Sequence, residues 1–82
     1  MRKSTHTAEY RALCQHIVAM RKAAGLTQRG LARRLSVPPS WVAKVEIGER
    51  RLDLVEYCWI CDACEIEPSA SIRSLLEDMR TV

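Results

Sequence analysis

The stretch over residues 26–48 constrains the fold of this chain more than any other part of its sequence. Thr27 suits the N-cap of a helix, because its hydroxyl can accept a hydrogen bond from a free amide of the first turn. That helix should end at Pro38 and Pro39, since each proline disfavours the helical region for the residue before it. Pro39 can then open a second helix, where its fixed φ suits the first position. Gly48 can close it in a left-handed conformation.

The outward side chains of this segment are polar and basic. Arg29, Arg33 and Arg34 flank a small apolar stripe of the first helix. In the second helix Val42 and Val45 face inward, and the side chains on the opposite side are Ser40, Ala43, Lys44 and Ile47. Two short helices with a tight turn and a basic outer surface are typical of a helix-turn-helix, whose second helix can enter the major groove of DNA.

Three more helices are predicted around this pair, which itself covers about residues 27–47. The first begins near Thr7, and its apolar face consists of Tyr10, Leu13, Cys14, Ile17 and Ala24. Asp53 can cap the fourth, in which one face carries Leu54, Tyr57, Cys58, Cys61 and Cys64. The fifth, over about residues 69–79, has an apolar stripe at i, i+3, i+4 and i+7: Ile72, Leu75, Leu76 and Met79.

No strand pattern, repeat or linker interrupts these helices, so the sequence predicts an all-α fold of five helices in one domain over residues 8–82. Residues 1–7 precede it as a flexible basic arm without an apolar period. A chain of 82 residues buries only a little over about 60% of its unfolded surface. Pairing of two copies would therefore add stability, and we expect the stripe on the fifth helix to form much of that contact.

The charge of the chain is divided unevenly between its two halves. Residues 1–51 hold 11 Lys and Arg against 3 acids, whereas residues 52–82 hold 2 against 7. This asymmetry predicts a half that faces a polyanion and a half that faces solvent or a partner. No run of about 18 apolar residues and no signal peptide are visible, so we expect a cytoplasmic protein without a membrane span.

At these positions the chain resembles the Cro/phage-repressor (XRE) family of helix-turn-helix regulators. The matching segments, at the spacings of that family, are Gly25-Leu26-Thr27-Gln28, Leu31-Ala32, Val42, Glu46-x-Gly48, Arg50-Arg51-Leu52 and Ile66-Glu67-Pro68. The resemblance covers roughly residues 10–79 and implies a lambda-repressor-like fold. The chain departs from the pattern at Gly30, at Ser36 in place of a turn glycine, and at Pro38-Pro39 in place of polar residues.

The resemblance also implies roles for particular side chains. Arg21 and Glu46 match a structural ion pair, in which an arginine fork contacts a carboxylate and fixes how the second helix of the motif is aimed. We expect base contacts from Pro39, Ser40, Ala43 and Lys44. We expect phosphate contacts from Gln28, Arg29, Trp41, Arg50 and Arg51, joined by Arg2 and Lys3 of the arm. For Trp41, burial in the core is an equal alternative.

The cysteines suggest a second interpretation. Cys58, Cys61 and Cys64 have the short spacing of thiolate metal sites, and Cys14 could be a fourth ligand. Positions i, i+3 and i+6 of a regular helix spread over about 120 degrees, however, so the three thiols do not converge on one atom. We therefore favour core packing of cysteine as a small hydrophobe, and no metal. His16 is expected on the surface of the first helix.

The function predicted from the sequence is sequence-specific binding of double-stranded DNA by a homodimeric transcriptional regulator, which represses at a palindromic operator. Two alternatives stay open: an antitoxin-type protein-interaction module that uses the acidic C-terminal half, and a thiol-based metal or redox sensor. No nucleophile with a base, paired carboxylates or phosphate loop can be assembled, so we expect neither an enzyme nor a cofactor. No site for a small-molecule ligand is evident.

Overall fold

The computed structural model describes residues 7–81, which form five α-helices. Their bounds are α1 Ala8–Ala23, α2 Gln28–Leu35, α3 Pro39–Glu46, α4 Leu54–Ala63 and α5 Pro68–Arg80. The predicted all-α, five-helix fold is confirmed. The predicted arm lies outside the described residues except for Thr7, so nothing here bears on Arg2 or Lys3. None of the five helices is long and apolar enough to cross a membrane.

The starts of the helices follow from local chemistry. The hydroxyl of Thr7 accepts from the amide of Tyr10 at 3.0 Å, and that of Thr27 accepts from the amide of Gly30 at 2.9 Å. Asp53 accepts from the amide of Glu56 at 2.7 Å, while the Glu56 carboxylate accepts from the amide of Asp53 at 3.0 Å. The caps predicted at Thr27 and Asp53 are confirmed, the latter as a capping box, and Thr7 is the N-cap of α1.

Two helices end on left-handed residues that are not glycine. Ser36 follows α2 with a φ of 57°, and Glu65 lies just beyond α4 with a φ of 58°. Each such residue costs roughly 1–2 kcal/mol relative to a right-handed conformation. The amide of Val37 still donates to the carbonyl of Ala32 at 3.0 Å, which closes α2 as a glycine-ended helix would be closed. The turn of the motif therefore keeps its shape without the glycine.

The core lies where α1, α2, α3 and α4 meet, and α5 packs against α1 and α4. The most deeply buried large side chains of the core are Ile17, Leu31, Val42, Ile60 and Cys61. The predicted face of α4 is wrong in one respect, because Leu54 is 67% exposed. The buried face of α4 is turned towards Ile60 instead.

The prediction that His16 lies on the surface is wrong. His16 is only 9% exposed, and its Nε2 lies 2.9 Å from the hydroxyl oxygen of Ser71 on α5. The Tyr57 hydroxyl also hydrogen-bonds Ser71, and Ser71 donates to the sulfur of Met20 at 3.0 Å. The Nδ1 atom of His16 is 3.9 Å from the Asp78 carboxylate. These contacts join α1, α4 and α5 through a buried polar cluster.

This cluster should make the stability of the fold depend on pH. Burial lowers the pKa of His16, and the Asp78 carboxylate opposes that shift without cancelling it. The unfolded chain then binds a proton more readily than the folded one, so stability is lost as the pH falls below about 6.5. Thermal melts from about pH 7.5 to about pH 5.5 should show a falling midpoint. In His16→Gln this fall should be largely absent, and an equal fall in that variant would contradict the assignment to His16.

Candidate DNA interface

The outward face of α3 carries the side chains predicted to read bases. Pro39, Ser40 and Lys44 are exposed, and Ala43 is half-buried. Pro39 opens the helix without a side-chain cap. On the opposite side Val42 and Val45 lie in the core, 1% and 2% exposed. The helix is thus anchored on one side and presents a hydroxyl, an ammonium group and small apolar groups on the other.

A buried ion pair fixes α3 to α1. Arg21 donates from Nε to Glu46 Oε2 at 2.7 Å and from Nη2 to Glu46 Oε1 at 3.2 Å, so both carboxylate oxygens are engaged. The side chains of Arg21 and Glu46 are 11% and 4% exposed. Arg21 Nη1 also donates to the carbonyl oxygen of Leu26 at 2.9 Å. The end of α3, the end of α1 and the entry to α2 are held by one guanidinium.

Gln28 belongs to the same network. Its side-chain nitrogen donates to Glu46 Oε1 at 2.8 Å, and the residue is half-buried. One of its two amide hydrogens is therefore engaged inside the protein, and the amide has a second hydrogen to donate. The carboxylate of Glu46 thus orients a predicted phosphate contact as well as the helix. Arg29, the next residue, is exposed and lines a surface groove with Pro39 of α3.

Arg50 lies over the indole of Trp41, with its guanidinium carbon 4.8 Å from the ring centroid. Its Nη2 donates to Glu56 at 2.9 Å, and its Nη1 donates to the carbonyl of Arg51 at 3.2 Å. This pairing lowers the pKa of the Glu56 carboxyl, which keeps it ionised. A phosphate would have to share Arg50 with Glu56, whereas the neighbouring Arg51 is exposed. Trp41 is partly buried against the core, between the two alternatives predicted for it.

Two residues at this surface have no role predicted from the sequence. Glu56 holds Arg50, and no spacing rule connects them because the pair depends on the path of the loop after α3. Ile47, the C-cap residue of α3, is 68% exposed on the outward side. Helical periodicity predicts its direction, but not what it contacts.

The residues predicted to form a dimer contact are divided between the core and the surface. Leu75 is 7% exposed and packs inside its own chain, so it has little surface left for a second copy. Ile72 and Met79 are partly buried against the same core. Leu76 is 43% exposed. The stripe on α5 is mainly the face by which that helix docks on its own domain.

The cysteines are free thiols at different depths. Cys61 and Cys64 are buried, and Cys14 and Cys58 are half-buried. Burial raises the pKa of the Cys14, Cys61 and Cys64 thiols, which keeps them protonated and weak as metal ligands. Over residues 7–81, no three side chains of His, Cys, Asp or Glu are placed to hold a metal ion.

An anchored pair of short helices with a polar and basic outward helix defines a helix-turn-helix domain. The model of the family described as helix-turn-helix domain matches residues 12–71. The chain is similar to an XRE-family like protein from Pseudomonas syringae pv. tomato str. DC3000, at 42% identity and a TM-score of 0.79, covering 88% of this chain and 90% of that one. This chain therefore belongs to the helix-turn-helix family, as an XRE-type regulator of transcription that binds DNA.

Two controller proteins are also similar. The restriction-modification controller protein C.AhdI from Aeromonas hydrophila is 32% identical, with a TM-score of 0.71 and coverage of 79% of this chain and 98% of that one. C.Esp1396I, solved as a tetramer in complex with its natural 35 base-pair operator, has the same fold at 18% identity, a TM-score of 0.81 and coverage of 90% and 97%. No curated protein is similar enough in sequence to match. Proteins of this class are not enzymes, which confirms that prediction.

Proposed function

We propose that the protein represses transcription as a homodimer that binds a palindromic operator with α3 in the major groove. The observation that carries this proposal is the outward face of α3, where Ser40 and Lys44 are exposed on a helix aimed by the buried pair of Arg21 and Glu46. Phosphate contacts from Gln28, Arg29, Arg51 and neighbouring groups supply affinity, and the groove-facing side chains supply sequence preference. In this proposal the protein is cytoplasmic and binds DNA there.

The similar proteins support this proposal. A relative at 32% identity carries the name of a restriction-modification controller, and a protein of the same fold was solved on its operator as a tetramer. The basic half of the chain also favours a polyanion, because phosphate neutralisation provides most of the affinity of such domains for any duplex. Repression requires only that the bound protein cover a promoter. It needs no second surface on the protein that contacts RNA polymerase.

Selection of bound sequences from a random duplex library tests the proposal. A dimer of such domains should enrich a nearly palindromic sequence whose half-sites are about one helical turn apart, ~34 Å. Placing that sequence across a promoter should then lower expression of a reporter when the protein is present. Failure to enrich any sequence would contradict sequence-specific binding. An increase in expression would contradict repression, but it would leave sequence-specific binding intact.

For the second copy, the outer face of α4 is a better contact than the stripe on α5. Leu54, Val55 and Trp59 of α4 are 67%, 58% and 53% exposed. Leu54 also lines an apolar groove of about 230 Å³ together with Ile72 and Leu75. Exposed apolar patches of this kind usually mark contact surfaces. A two-fold axis beside α4 would bury this patch in both copies at once.

Leu54→Asp tests this contact. An aspartate in the first turn of α4 suits the helix dipole, so the fold should be preserved while the patch is broken. Two leucines are lost from a symmetric contact, so we expect dimerisation to weaken by at least about tenfold in sedimentation equilibrium. Ala70→Asp, on the exposed side of the first turn of α5, is the matched control and should not change it. Equal dimerisation of Leu54→Asp and the parent would place the contact elsewhere. A protein that is monomeric at high micromolar concentration, and monomeric again when bound to DNA, would exclude the homodimer.

A further inference from the structure

The outward face of α3 includes a large apolar side chain that has no role in the interface described so far. Ile47 is 68% exposed at the C-cap of the helix. It follows Ser40 by seven positions and Lys44 by three, so the three side chains form one stripe on the helix surface. Val42 and Val45 are buried on the other side. Ile47 therefore lies on the surface that the proposed function turns towards DNA.

The backbone holds Ile47 in place. After it, Gly48 turns the chain with a φ of 80°, and the amide of Gly48 donates to the carbonyl of Val45 at 3.2 Å. The amide of Glu49 donates to the carbonyl of Lys44 at 2.9 Å, so the end of α3 is closed rather than frayed. A β-branched side chain has few rotamers, so fixing it in one conformation costs little entropy.

The other exposed large apolar side chains of the described chain lie elsewhere. Leu54, Val55 and Trp59 belong to α4, and Leu76 belongs to α5. The proposed contact of a second copy is on α4, whereas Ile47 lies at the C-cap of α3. The partner that we consider for Ile47 is therefore the DNA that α3 is proposed to bind.

The major groove offers hydrogen-bond donors and acceptors and one apolar group, the C5-methyl of thymine. We infer that Ile47 contacts a thymine methyl group and thereby specifies a thymine in each half-site; this inference rests on the proposed function. Ile47 is about 4.5 Å further along the helix axis than Lys44, from the rise of an α-helix. Base pairs are spaced by about 3.4 Å. The thymine should therefore lie about one or two base pairs from the base that Lys44 reaches.

Deoxyuridine substitution tests this contact, because it removes the methyl group and leaves the pairing and the other base atoms unchanged. Each thymine of the selected operator is replaced in both half-sites, and binding is measured for the parent and for Ile47→Ala. The parent should lose about three- to tenfold in affinity per half-site at one position only, the effect of one or two buried methyl groups. Ile47→Ala should lose a similar factor on the thymine operator and be indifferent to deoxyuridine at that position.

Two further variants make the result specific. Ile47→Val keeps two methyl groups and should retain part of the sensitivity. Lys44→Ala should bind more weakly but keep the sensitivity to deoxyuridine at that position, since its own contact is to a different base. Equal sensitivity of the parent and Ile47→Ala at every thymine would overturn the inference, as would uniform weakening of Ile47→Ala on all sequences, which indicates a contact to the DNA backbone. Both results leave the proposed function intact, whereas a parent that binds no selected sequence contradicts the function itself.

Discussion

Replacement of Glu46 by alanine should lower the free energy of unfolding by about 3–5 kcal/mol, the cost of leaving a buried charge without its partner. The side chain of Arg21 is 11% exposed, and without the carboxylate its remaining hydrogen bond in the network is to the carbonyl of Leu26. Gln28 loses its acceptor in the same substitution. Small domains have only about 5–15 kcal/mol of stability in total, so the variant should be close to unfolding at growth temperature.

Glu49→Ala is the matched control for this prediction. It removes the same side chain three residues later, at an exposed position of the loop after α3, and should change stability by no more than about 0.5 kcal/mol. Urea unfolding of both variants with equal slopes gives the comparison. A loss for Glu46→Ala no greater than that for Glu49→Ala would mean that the pair is solvated in solution.

The bounds of the helices could be predicted because they depend on neighbouring residues. Thr27 caps α2 through the amide of Gly30, three positions away, and Pro39 sets the start of α3 by its own ring. Asp53 and Glu56 form a capping box within one turn. Interactions of this range are present in the sequence itself, and tertiary packing has only to preserve them. The five-helix architecture follows from such local rules and from the periodicity of the apolar residues.

The buried faces of α1 and α4 could be predicted only in part. Helix α1 packs against two neighbours, so one apolar stripe does not describe it. Cys14 donates to the carbonyl of Val45 on α3 at 3.5 Å, whereas His16 and Met20 contact Ser71 of α5. A histidine on a helix gives no sign of a serine 55 positions later that can satisfy it. Burial of a polar side chain depends on such distant partners, and periodicity cannot supply them.

The candidate site shows the same division. The outward direction of Ser40 and Lys44 follows from their spacing relative to Val42 and Val45, because these four residues belong to one helix. The engagement of Arg50 by Glu56 does not, since it depends on how the loop after α3 returns beside α4. The contacts of side chains beside a loop are thus harder to predict than the directions of side chains on one helix.

Lys44→Ala should weaken binding to the best operator by about 1–3 kcal/mol and relax the preference at one position of each half-site. Lys44 is exposed one turn after Ser40 on the outward face of α3, where its ammonium group can reach the O6 or N7 atom of a guanine. Ser40→Ala should have the same kind of effect but a smaller one, because a hydroxyl can both donate and accept and so distinguishes bases weakly.

Two other substitutions separate this effect from a general loss of charge. Arg51→Ala removes a proposed phosphate contact, so it should weaken all sequences alike and lower the salt dependence of binding by about one ion. Lys22→Ala removes the same charge as Lys44→Ala from an exposed position at the end of α1 and should leave the sequence preference unchanged. The measurement is competition of each variant against a set of single-base operator changes. If Lys44→Ala weakens every sequence by the same factor, Lys44 contacts a phosphate, and sequence preference must come from the other outward side chains of this proline-initiated helix.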